Sequence, residues 1–263
     1  MNIKLMSVLV CTICAVLTVS PTAHGQVTLG QVDDFSAVTN GGWSEGNNSP
    51  NQPVHDVGLG PDGLAGHLRN VSTGFQAGGR WQMFNFQARW LGDYSGINAI
   101  TIDFDNRSGN GTDGNFRIAF FGSGGTFISD DFLVADGTGW QQAVFDLATL
   151  SHLSASGGTG LLTDTLSNVT QIEILSSVSD TPSISNAGLV QGDPLFADFR
   201  MDNMRAAGQM GDVDLNGAID FGDIPAFIAA LQAGTMQFEA DIDGDGDVDF
   251  ADIPFFISVL SQQ

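Results

Sequence analysis

The chain has very little cysteine, lysine or tyrosine. Its two cysteines, Cys11 and Cys14, both lie in an apolar N-terminal run, so no disulfide can form in the rest of the chain. Positive charge is also scarce, because 8 Lys and Arg residues stand against 30 acidic residues and give a formal net charge of −22. Such a chain repels nucleic acid, whose binding requires cations that neutralise phosphates, and the same charge argues against binding anionic membranes.

The N-terminal run predicts a secretory signal over residues 1–25. Apolar residues fill positions 5–19, and the small, polar segment Ser20–Gly25 follows, with Ala23 three residues before the expected cleavage point. The run is too short to span a bilayer, which takes about 20 apolar residues. A lipoprotein signal is the alternative, but both cysteines lie too deep in the run. We therefore expect a secreted or cell-surface protein whose mature chain carries seven arginines against 30 acidic residues, a formal charge of −23.

Many of the acidic residues fall in two similar twelve-residue segments, loop one (Asp212–Asp223) and loop two (Asp241–Asp252). Each has oxygen-bearing side chains at positions 1, 3, 5, 9 and 12 and glycine at position 6. This is the spacing of an EF-hand-like calcium loop, because Ca²⁺ takes about 6–8 oxygens and a short loop supplies them only by turning sharply at a glycine. A solvated acidic turn is the alternative for one loop, but two copies in one register favour two Ca²⁺ sites. The predicted ligands are Asp212, Asp214, Asn216, the Ala218 carbonyl, Asp220 and Asp223, and then Asp241, Asp243, Asp245, the Asp247 carbonyl, Asp249 and Asp252.

An amphipathic helix is predicted after each loop. Apolar residues recur at i, i+3, i+4 and i+7, which places them on one stripe of a helix. Pro225 and Pro254 fall in the first turns, where a missing N–H costs nothing, and Gly234 is the expected C-cap. Neither stripe can be buried alone, so we expect the two helices to pack together. The stripes are Ile224, Phe227, Ile228 and Leu231, and Ile253, Phe256, Ile257 and Leu260.

Residues 208–263 resemble a type I dockerin, the duplicated calcium-loop module of secreted bacterial polysaccharide-degrading systems. The resemblance implies a small α-helical domain with two bound Ca²⁺ ions that docks onto a cohesin-like or other surface scaffold protein. It also implies a part in polysaccharide catabolism. In that family the recognition pair lies at loop positions 10 and 11. Here these are Phe221-Gly222 and Phe250-Ala251, where many members have hydroxyl residues. The likeness of the two helices implies docking in either of two orientations.

The preceding segment, residues 26–207, is predicted to be mainly β. Ile100, Ile102 and Phe104 alternate with polar residues, and similar short runs follow between Gly- and Asp-rich turns. A period of two predicts antiparallel strands with one buried face, and we interpret the segment as a jelly-roll β-sandwich. Asp33–Ser36 and Phe196–Asn203 are expected to pair as first and last strands. The further runs are 116–121, 127–134, 140–147 and 171–175, with a helical hint only at 147–153.

Those terminal strands, together with the segment Arg89–Tyr94, resemble galactose-binding-like and laminin-B-type sandwiches. The resemblance implies an extracellular adhesive or ligand-binding domain. Sugars stack on the rings of Trp and Tyr, and Trp43 and Trp81 are the residues that we predict to contact a ligand. The competing interpretation is core packing, which is the usual role of tryptophan in a sandwich. Trp90, Tyr94 and Trp140 are further candidates for sugar contact, although its place at the start of a predicted strand favours core packing for Trp140.

No catalytic motif is recognisable in this domain. Its only glutamates are Glu45, in a Gly- and Asn-rich loop, and Glu173, which alternates with isoleucines and is expected to face solvent. The sequence thus favours a non-catalytic domain that binds carbohydrate or another surface ligand, including polysaccharide. The alternative is a glycoside hydrolase or polysaccharide lyase whose active site lies in the sandwich. A third interpretation is a structural surface protein, in which Trp43 and Trp81 would be buried.

Overall fold

The computed structural model describes residues 25–37, 39–46, 49–61, 63, 65–74, 78–185, 188–234 and 237–261. The predicted signal segment therefore lies, except for Gly25, outside the described residues. The described strands are β1 (Val32–Asp33), β2 (Trp43–Ser44), β3 (Val54–Leu59), β4 (Ala65–Thr73), β5 (Gln82–Asn85), β6 (Ala99–Asn106), β7 (Gly114–Gly122), β8 (Gly125–Ile128), β9 (Phe132–Val134), β10 (Gln141–Asp146), β11 (Ser151–His152), β12 (Gln171–Ser176) and β13 (Phe196–Ala207). The described helices are α1 (Leu162–Leu166), α2 (Asp223–Ala233) and α3 (Asp252–Leu260), with 3₁₀ turns at Ala88–Trp90, Leu147–Thr149 and Ser154–Ser156.

The strands form two antiparallel sheets. The six-stranded sheet has the order β10-β6-β13-β4-β3, with β1 paired beside β13. The seven-stranded sheet has the order β11-β8-β7-β12-β5-β2, with β9 paired beside β7. The first and last strands pair as predicted, but the paired residues, Val32 with Arg205 and Asp33 with Met204, lie just beyond the predicted segment Phe196–Asn203. A mainly β, two-sheet arrangement is confirmed as well, while the jelly-roll subtype stays a prediction.

The main core lies between the inner faces of the two sheets. Ile100, Ile102 and Phe104 of β6 are fully buried, as their alternation predicts. Phe104 stacks on Phe116 of β7 with ring centroids 3.9 Å apart. Burial of one such side chain contributes about 1.5–3 kcal/mol, so this apolar layer stabilises the sandwich without any disulfide.

The two tryptophans predicted to contact a ligand belong to this core, and the structure corrects that prediction. Trp43 and Trp81 are both 0% exposed, so neither ring can stack on a sugar. Trp81 packs edge-on against Phe116 and Phe199, with centroids 5.1 and 5.4 Å away, and its indole N–H donates to the Asn70 carbonyl at 3.3 Å. The reason is strand alternation: Trp43 shares a register position with Asn85, which pairs with buried Ile172.

Glu173 is buried too, contrary to the expectation that it faces solvent. It lies on the outer side of the seven-stranded sheet, opposite Phe84 and Ala119, but is 0% exposed. The segment bridged by Ile184 and Val190 covers it, and the Val190 N–H donates to its carboxylate at 3.1 Å. Burial raises the pKa of Glu173 well above its ordinary value.

The predicted helical hint at 147–153 corresponds to the 3₁₀ turn Leu147–Thr149, followed by the short strand β11.

The C-terminal module, residues 208–261, packs around a second, smaller core. Phe227 of α2 stacks on Phe256 of α3 with ring centroids 4.1 Å apart, so the predicted packing of the two helices is confirmed. Gly234 has a φ of 58° and its N–H donates to the Ala230 carbonyl, as expected of a C-cap. Ile228 and Ile257, assigned to the apolar stripes, are instead 46% and 59% exposed. Loop residues complete the core in their place, and its buried members are Val213, Phe227, Ala230, Ala240, Val248 and Phe256. Among the described residues, no helix is both long and apolar enough to cross a membrane.

Candidate functional site

Three carboxylates converge in each predicted calcium loop. In loop one, Asp212, Asp214 and Asp223 each place one oxygen so that all three lie within 4.8 Å of one another. Asp241, Asp243 and Asp252 do the same in loop two. These are positions 1, 3 and 12 of both loops. The side chains at positions 5 and 9 lie at the exposed rim, as do the residues whose carbonyls were predicted at position 7; these are Asn216, Asp220 and Ala218, and Asp245, Asp249 and Asp247.

The two loops repeat the same hydrogen bonds. In loop one, the Asp223 carboxylate accepts from the backbone N–H groups of Asp214 and Asp220, at 3.0 and 2.8 Å. In loop two, Asp252 accepts from the equivalent N–H groups, at 3.1 and 2.9 Å. The glycines at position 6 have φ values of 88° and 96°, which confirms the sharp turn expected there. These bonds hold the carboxylates in place and leave oxygen lone pairs for a ligand.

The loops concentrate negative charge with no cation nearby. Among the described ion pairs, none involves the six converging carboxylates. Burial raises the pKa of Asp212 and of Asp241, and the charge of Asp245 raises the pKa of Asp247. Clustered carboxylates that accept hydrogen bonds but have no opposite charge beside them still repel one another. A hard divalent cation with a preference for oxygen ligands, above all Ca²⁺, fits this donor set.

The loops differ at position 4. Gly244 holds it in loop two with a φ of 74°, whereas Leu215 holds it in loop one with a φ of 60°. A left-handed conformation costs a residue with a side chain about 1–2 kcal/mol. The Leu215 side chain lies close to the sandwich. Its Cδ1 atom would be only 2.8 Å from a Cβ added at Gly30.

A second candidate region is the outer face of the six-stranded sheet, which we call the polar face. On β6, β10 and β13 its residues alternate with the core residues Ile102, Ala143 and Phe199. The polar face consists of Asp56, His67, Arg69, Asp103, Asp105, Gln142, Asp198, Arg200 and Asp202. The strand register sets these residues in rows across the sheet. Asp105, Arg200 and Arg69 lie side by side on β6, β13 and β4.

A second row contains Gln142, Asp103 and Asp202, on β10, β6 and β13. The first two are in contact, because the Gln142 amide donates to Asp103 at 3.4 Å. Asn203, in a bulge of β13 with a φ of 47°, donates to the same carboxylate at 2.9 Å. Arg69 makes a two-pronged ion pair with Asp198, at 2.8 and 2.7 Å. Hydrogen bonds and ion pairs thus connect many side chains of the polar face.

Four polar side chains of this face keep buried atoms without a hydrogen-bond partner. They are both ring nitrogens of His67, one carboxylate oxygen of Asp105, the amide oxygen of Gln142 and one guanidinium nitrogen of Arg200. The His67 ring is 2% exposed, lies 3.8 Å from the Asp56 carboxylate and packs edge-on against Trp140 at 5.5 Å. Burial lowers the pKa of His67, which favours the neutral ring. Buried polar groups are nearly always satisfied, so bound water or a polar ligand would have to supply the missing bonds in this cluster.

A cavity of about 1000 Å³ lies over one end of the polar face. The sandwich contributes Thr101, Gln142 and Trp140 to its walls. The C-terminal module contributes Gln237, Phe238 and Gly246. One indole ring among hydrogen-bonding side chains is a suitable surface for a sugar, whose C–H faces stack on aromatics and whose hydroxyls need polar partners. Reasoning from sequence missed this site, because polar alternation on β6 indicates only a non-core face. It named Trp140 among the candidates for sugar contact but favoured core packing for this residue.

Comparison with known proteins gives fold likeness only. No protein-family model and no curated protein matches the sequence. The chain is similar to a family 11 carbohydrate-binding module from Clostridium thermocellum in complex with a β-1,3-1,4-mixed-linked tetrasaccharide, at 16% identity and a TM-score of 0.46, over 69% of this chain and 97% of that one. It is similar to a family 27 carbohydrate-binding module of Caldicellulosiruptor saccharolyticus in complex with mannohexaose, at 12% identity and a TM-score of 0.41, over 68% and 97%. It is also similar to an agarase, at 13% identity and a TM-score of 0.44, over 71% of this chain and 27% of that one.

Proposed function

We propose that the chain is a secreted, calcium-binding protein that holds polysaccharide on its polar face. In this proposal residues 26–207 form the carbohydrate-binding domain, and residues 208–263 form a dockerin-like module that attaches it to an extracellular assembly. The process served is polysaccharide catabolism. The domain binds without cleaving, so its contribution is to keep an assembly on its substrate.

The observation that carries the carbohydrate-binding part is the set of unsatisfied polar atoms on the polar face. Of the side chains that carry these atoms, His67 packs edge-on against Trp140, and Gln142 lines the cavity together with Trp140. Acid and guanidinium groups in fixed rows can bond vicinal hydroxyls from two sides, while an indole ring covers the apolar face of the sugar. Trp140 takes the role first assigned to Trp43 and Trp81, both of which lie in the core.

Calcium binding rests on the convergent carboxylates of both loops. Each loop would hold one Ca²⁺ through positions 1, 3 and 12, with the rim groups at positions 5, 7 and 9 completing the oxygen shell. The ion would offset the repulsion among ten aspartates and so stabilise both loops and the helices that follow them.

The exposed aromatics of the module support an attachment role. Phe221 and Phe250, at position 10 of the two loops, are 78% and 81% exposed. Exposed phenylalanines at equivalent places of a duplicated module form apolar contact points for a partner protein. A cohesin-like or other scaffold surface is the proposed partner, and an apolar pocket on it would replace the hydroxyl contacts common in the family.

Affinity electrophoresis tests carbohydrate binding. The full mature chain is run in Ca²⁺ through gels that contain a β-1,3-1,4-glucan, a mannan, a xylan or agarose. We expect retardation by at least one of them, and a loss of most of that retardation in Trp140→Ala and Arg200→Ala. Phe86→Ala, which removes an exposed ring elsewhere, is the matched control and should migrate like the parent. Equal retardation of all four proteins would refute the assignment of the polar face.

Equilibrium dialysis tests calcium binding. The full chain should bind two Ca²⁺ ions, and Asp212→Ala and Asp241→Ala should each bind one. Asp180→Ala, which removes an exposed acid of the sandwich, should still bind two. A parent chain that binds no ion at millimolar Ca²⁺ would remove the basis for the dockerin-like assignment.

Two other functions have an observation in their favour. Burial of Trp43 and Trp81 is the condition set by the structural-protein interpretation, in which no polysaccharide retards the chain. The acids Asp103, Asp105 and Asp202, all nearly buried on one face, favour a hydrolase or lyase. Release of reducing ends or unsaturated sugars from the same panel, abolished by one Asp→Asn change, would replace the binding proposal with catalysis.

A further inference from the structure

The cavity over the polar face is lined by residues of both the sandwich and the C-terminal module, so its shape depends on both domains. Thr101 and Trp140 belong to the sandwich, whereas Gln237 and Phe238 belong to the short segment between α2 and loop two. Gly246, at position 6 of loop two, also lines the cavity. A calcium loop is therefore itself part of the wall against which a ligand would lie.

A buried ion pair holds this wall on the sandwich. Glu239 is 0% exposed, and its carboxylate lies 2.8 Å from the guanidinium of Arg205, a residue of β13 that also lines the cavity. The other carboxylate oxygen of Glu239 accepts from the Gly208 N–H at 2.8 Å. Glu239 stands two residues before Asp241, the first predicted ligand of loop two. The position of the wall is thus tied to the fold of that loop.

Loop one is tied to the same wall and to the sandwich. The Gln237 amide donates to the Val213 carbonyl in loop one at 3.0 Å, and the Gly211 N–H donates to the Glu239 carbonyl at 2.8 Å. Leu215 of loop one lies against Gly30 and Gly208. Disordering either loop would therefore release the segment that carries Gln237 and Phe238.

We infer that binding of Ca²⁺ to the loops and binding of carbohydrate in the cavity are coupled, because the calcium-loaded module supplies one wall of the sugar site. This inference rests on the proposed function and adds its regulation. Without Ca²⁺ the aspartates of the loops repel one another, the segment 237–240 loses its anchor, and the cavity opens into a shallow sheet face. Coupling is reciprocal, so a bound sugar also tightens Ca²⁺ binding by the same factor.

Two measurements on the full mature chain test the coupling. The first is affinity electrophoresis with the polysaccharide that retards the chain most, in Ca²⁺ and in EGTA. We expect roughly tenfold weaker binding in EGTA, a size typical of coupling between sites. The second is acrylamide quenching of tryptophan fluorescence. Trp43, Trp81 and Trp90 are all 0% exposed, so Trp140 dominates the change, and chelation should raise the quenching in the parent but not in Trp140→Phe.

Two variants of the module distinguish the contribution of the cavity wall to sugar binding from that of the rest of the module. Phe238→Ala should weaken polysaccharide binding in Ca²⁺ while two ions still bind, and that stoichiometry verifies that both loops are folded. Phe255→Ala removes a ring of α3 that is 51% exposed and should bind sugar like the parent.

The outcomes are distinguishable. Equal sugar affinity in Ca²⁺ and EGTA, with quenching that does not change, overturns the coupling and leaves the proposed function standing. Retardation by no polysaccharide in either condition overturns the proposed function and the coupling with it. Parent-like binding by Phe238→Ala shows that the module does not contribute to the sugar site and overturns the inference.

Discussion

The sandwich and the C-terminal module reach stability by different means. The sandwich buries an extensive apolar layer between two sheets, including stacked Phe104 and Phe116. Among its described residues the module has a core of six buried residues, and its loops hold ten aspartates. A domain this small rarely gains more than about 3–5 kcal/mol from its core alone. Under the proposed function, bound Ca²⁺ would take the place of apolar burial where the chain is short, acidic and without cysteine.

The largest expected effect is the response to chelation. In EGTA the far-ultraviolet circular dichroism should lose the helical signal of α2 and α3, because the aspartates of the loops repel one another without a cation. The β signal of the sandwich should persist, and a thermal scan should keep the sandwich transition. Helical signal that is identical in Ca²⁺ and EGTA would contradict the contrast between the two domains.

Truncation of one aromatic in each core comes next. Phe→Ala in a core costs about 3–5 kcal/mol, which equals the whole stability expected of the module. Phe227→Ala should therefore abolish helix formation even in Ca²⁺, whereas Phe116→Ala should lower the sandwich transition but leave it folded. Ile228→Ala, at a residue 46% exposed, should change stability by less than about 0.5 kcal/mol. A folded Phe227→Ala module would indicate that calcium alone suffices.

The sandwich, in turn, should carry its own pH dependence through Glu45. Burial raises the pKa of Glu45 from 4.5 to about 7. The folded chain therefore holds this proton more tightly, so the contribution to stability is complete below pH 4.5 and is lost as pH rises through about 7. Glu45→Gln should match the parent near pH 4.5 and exceed it near pH 8 by about 1–2 kcal/mol, allowing for partial exposure. Denaturant titrations at both pH values measure this, and parallel pH curves would refute it.

The last prediction, of similar size, uses one glycine substitution in each domain to test whether the two domains unfold separately. Gly244 in loop two and Gly137 in the sandwich both have left-handed φ values, 74° and 77°, and open space at Cβ. Either change to alanine should cost about 1–2 kcal/mol from backbone strain alone. Gly244→Ala should lower only the module transition, and Gly137→Ala only that of the sandwich. A shift of both transitions by one variant would mean that the domains unfold together.

Local patterns could be predicted from sequence because a single segment carries the whole signal. The converging aspartates, the helices that follow and the glycine turns all depend on residues close in the chain. The positions of Trp43, Trp81 and Glu173 could not be predicted, because strand register buries the two tryptophans and Val190, from a later part of the chain, covers Glu173. The polar face assembles side chains from β3, β4, β6, β10 and β13. Its rows exist only after those strands have paired.

The linker between the two domains is very short. β13 ends at Ala207 and loop one begins at Asp212, and across this gap Arg205, Glu239 and Leu215 fasten the module to the sheet. A long flexible linker would let the two domains reorient, whereas this short linker with its contacts fixes the orientation of the sandwich relative to the module. A partner protein that binds the two helices would therefore hold the polar face in a fixed orientation.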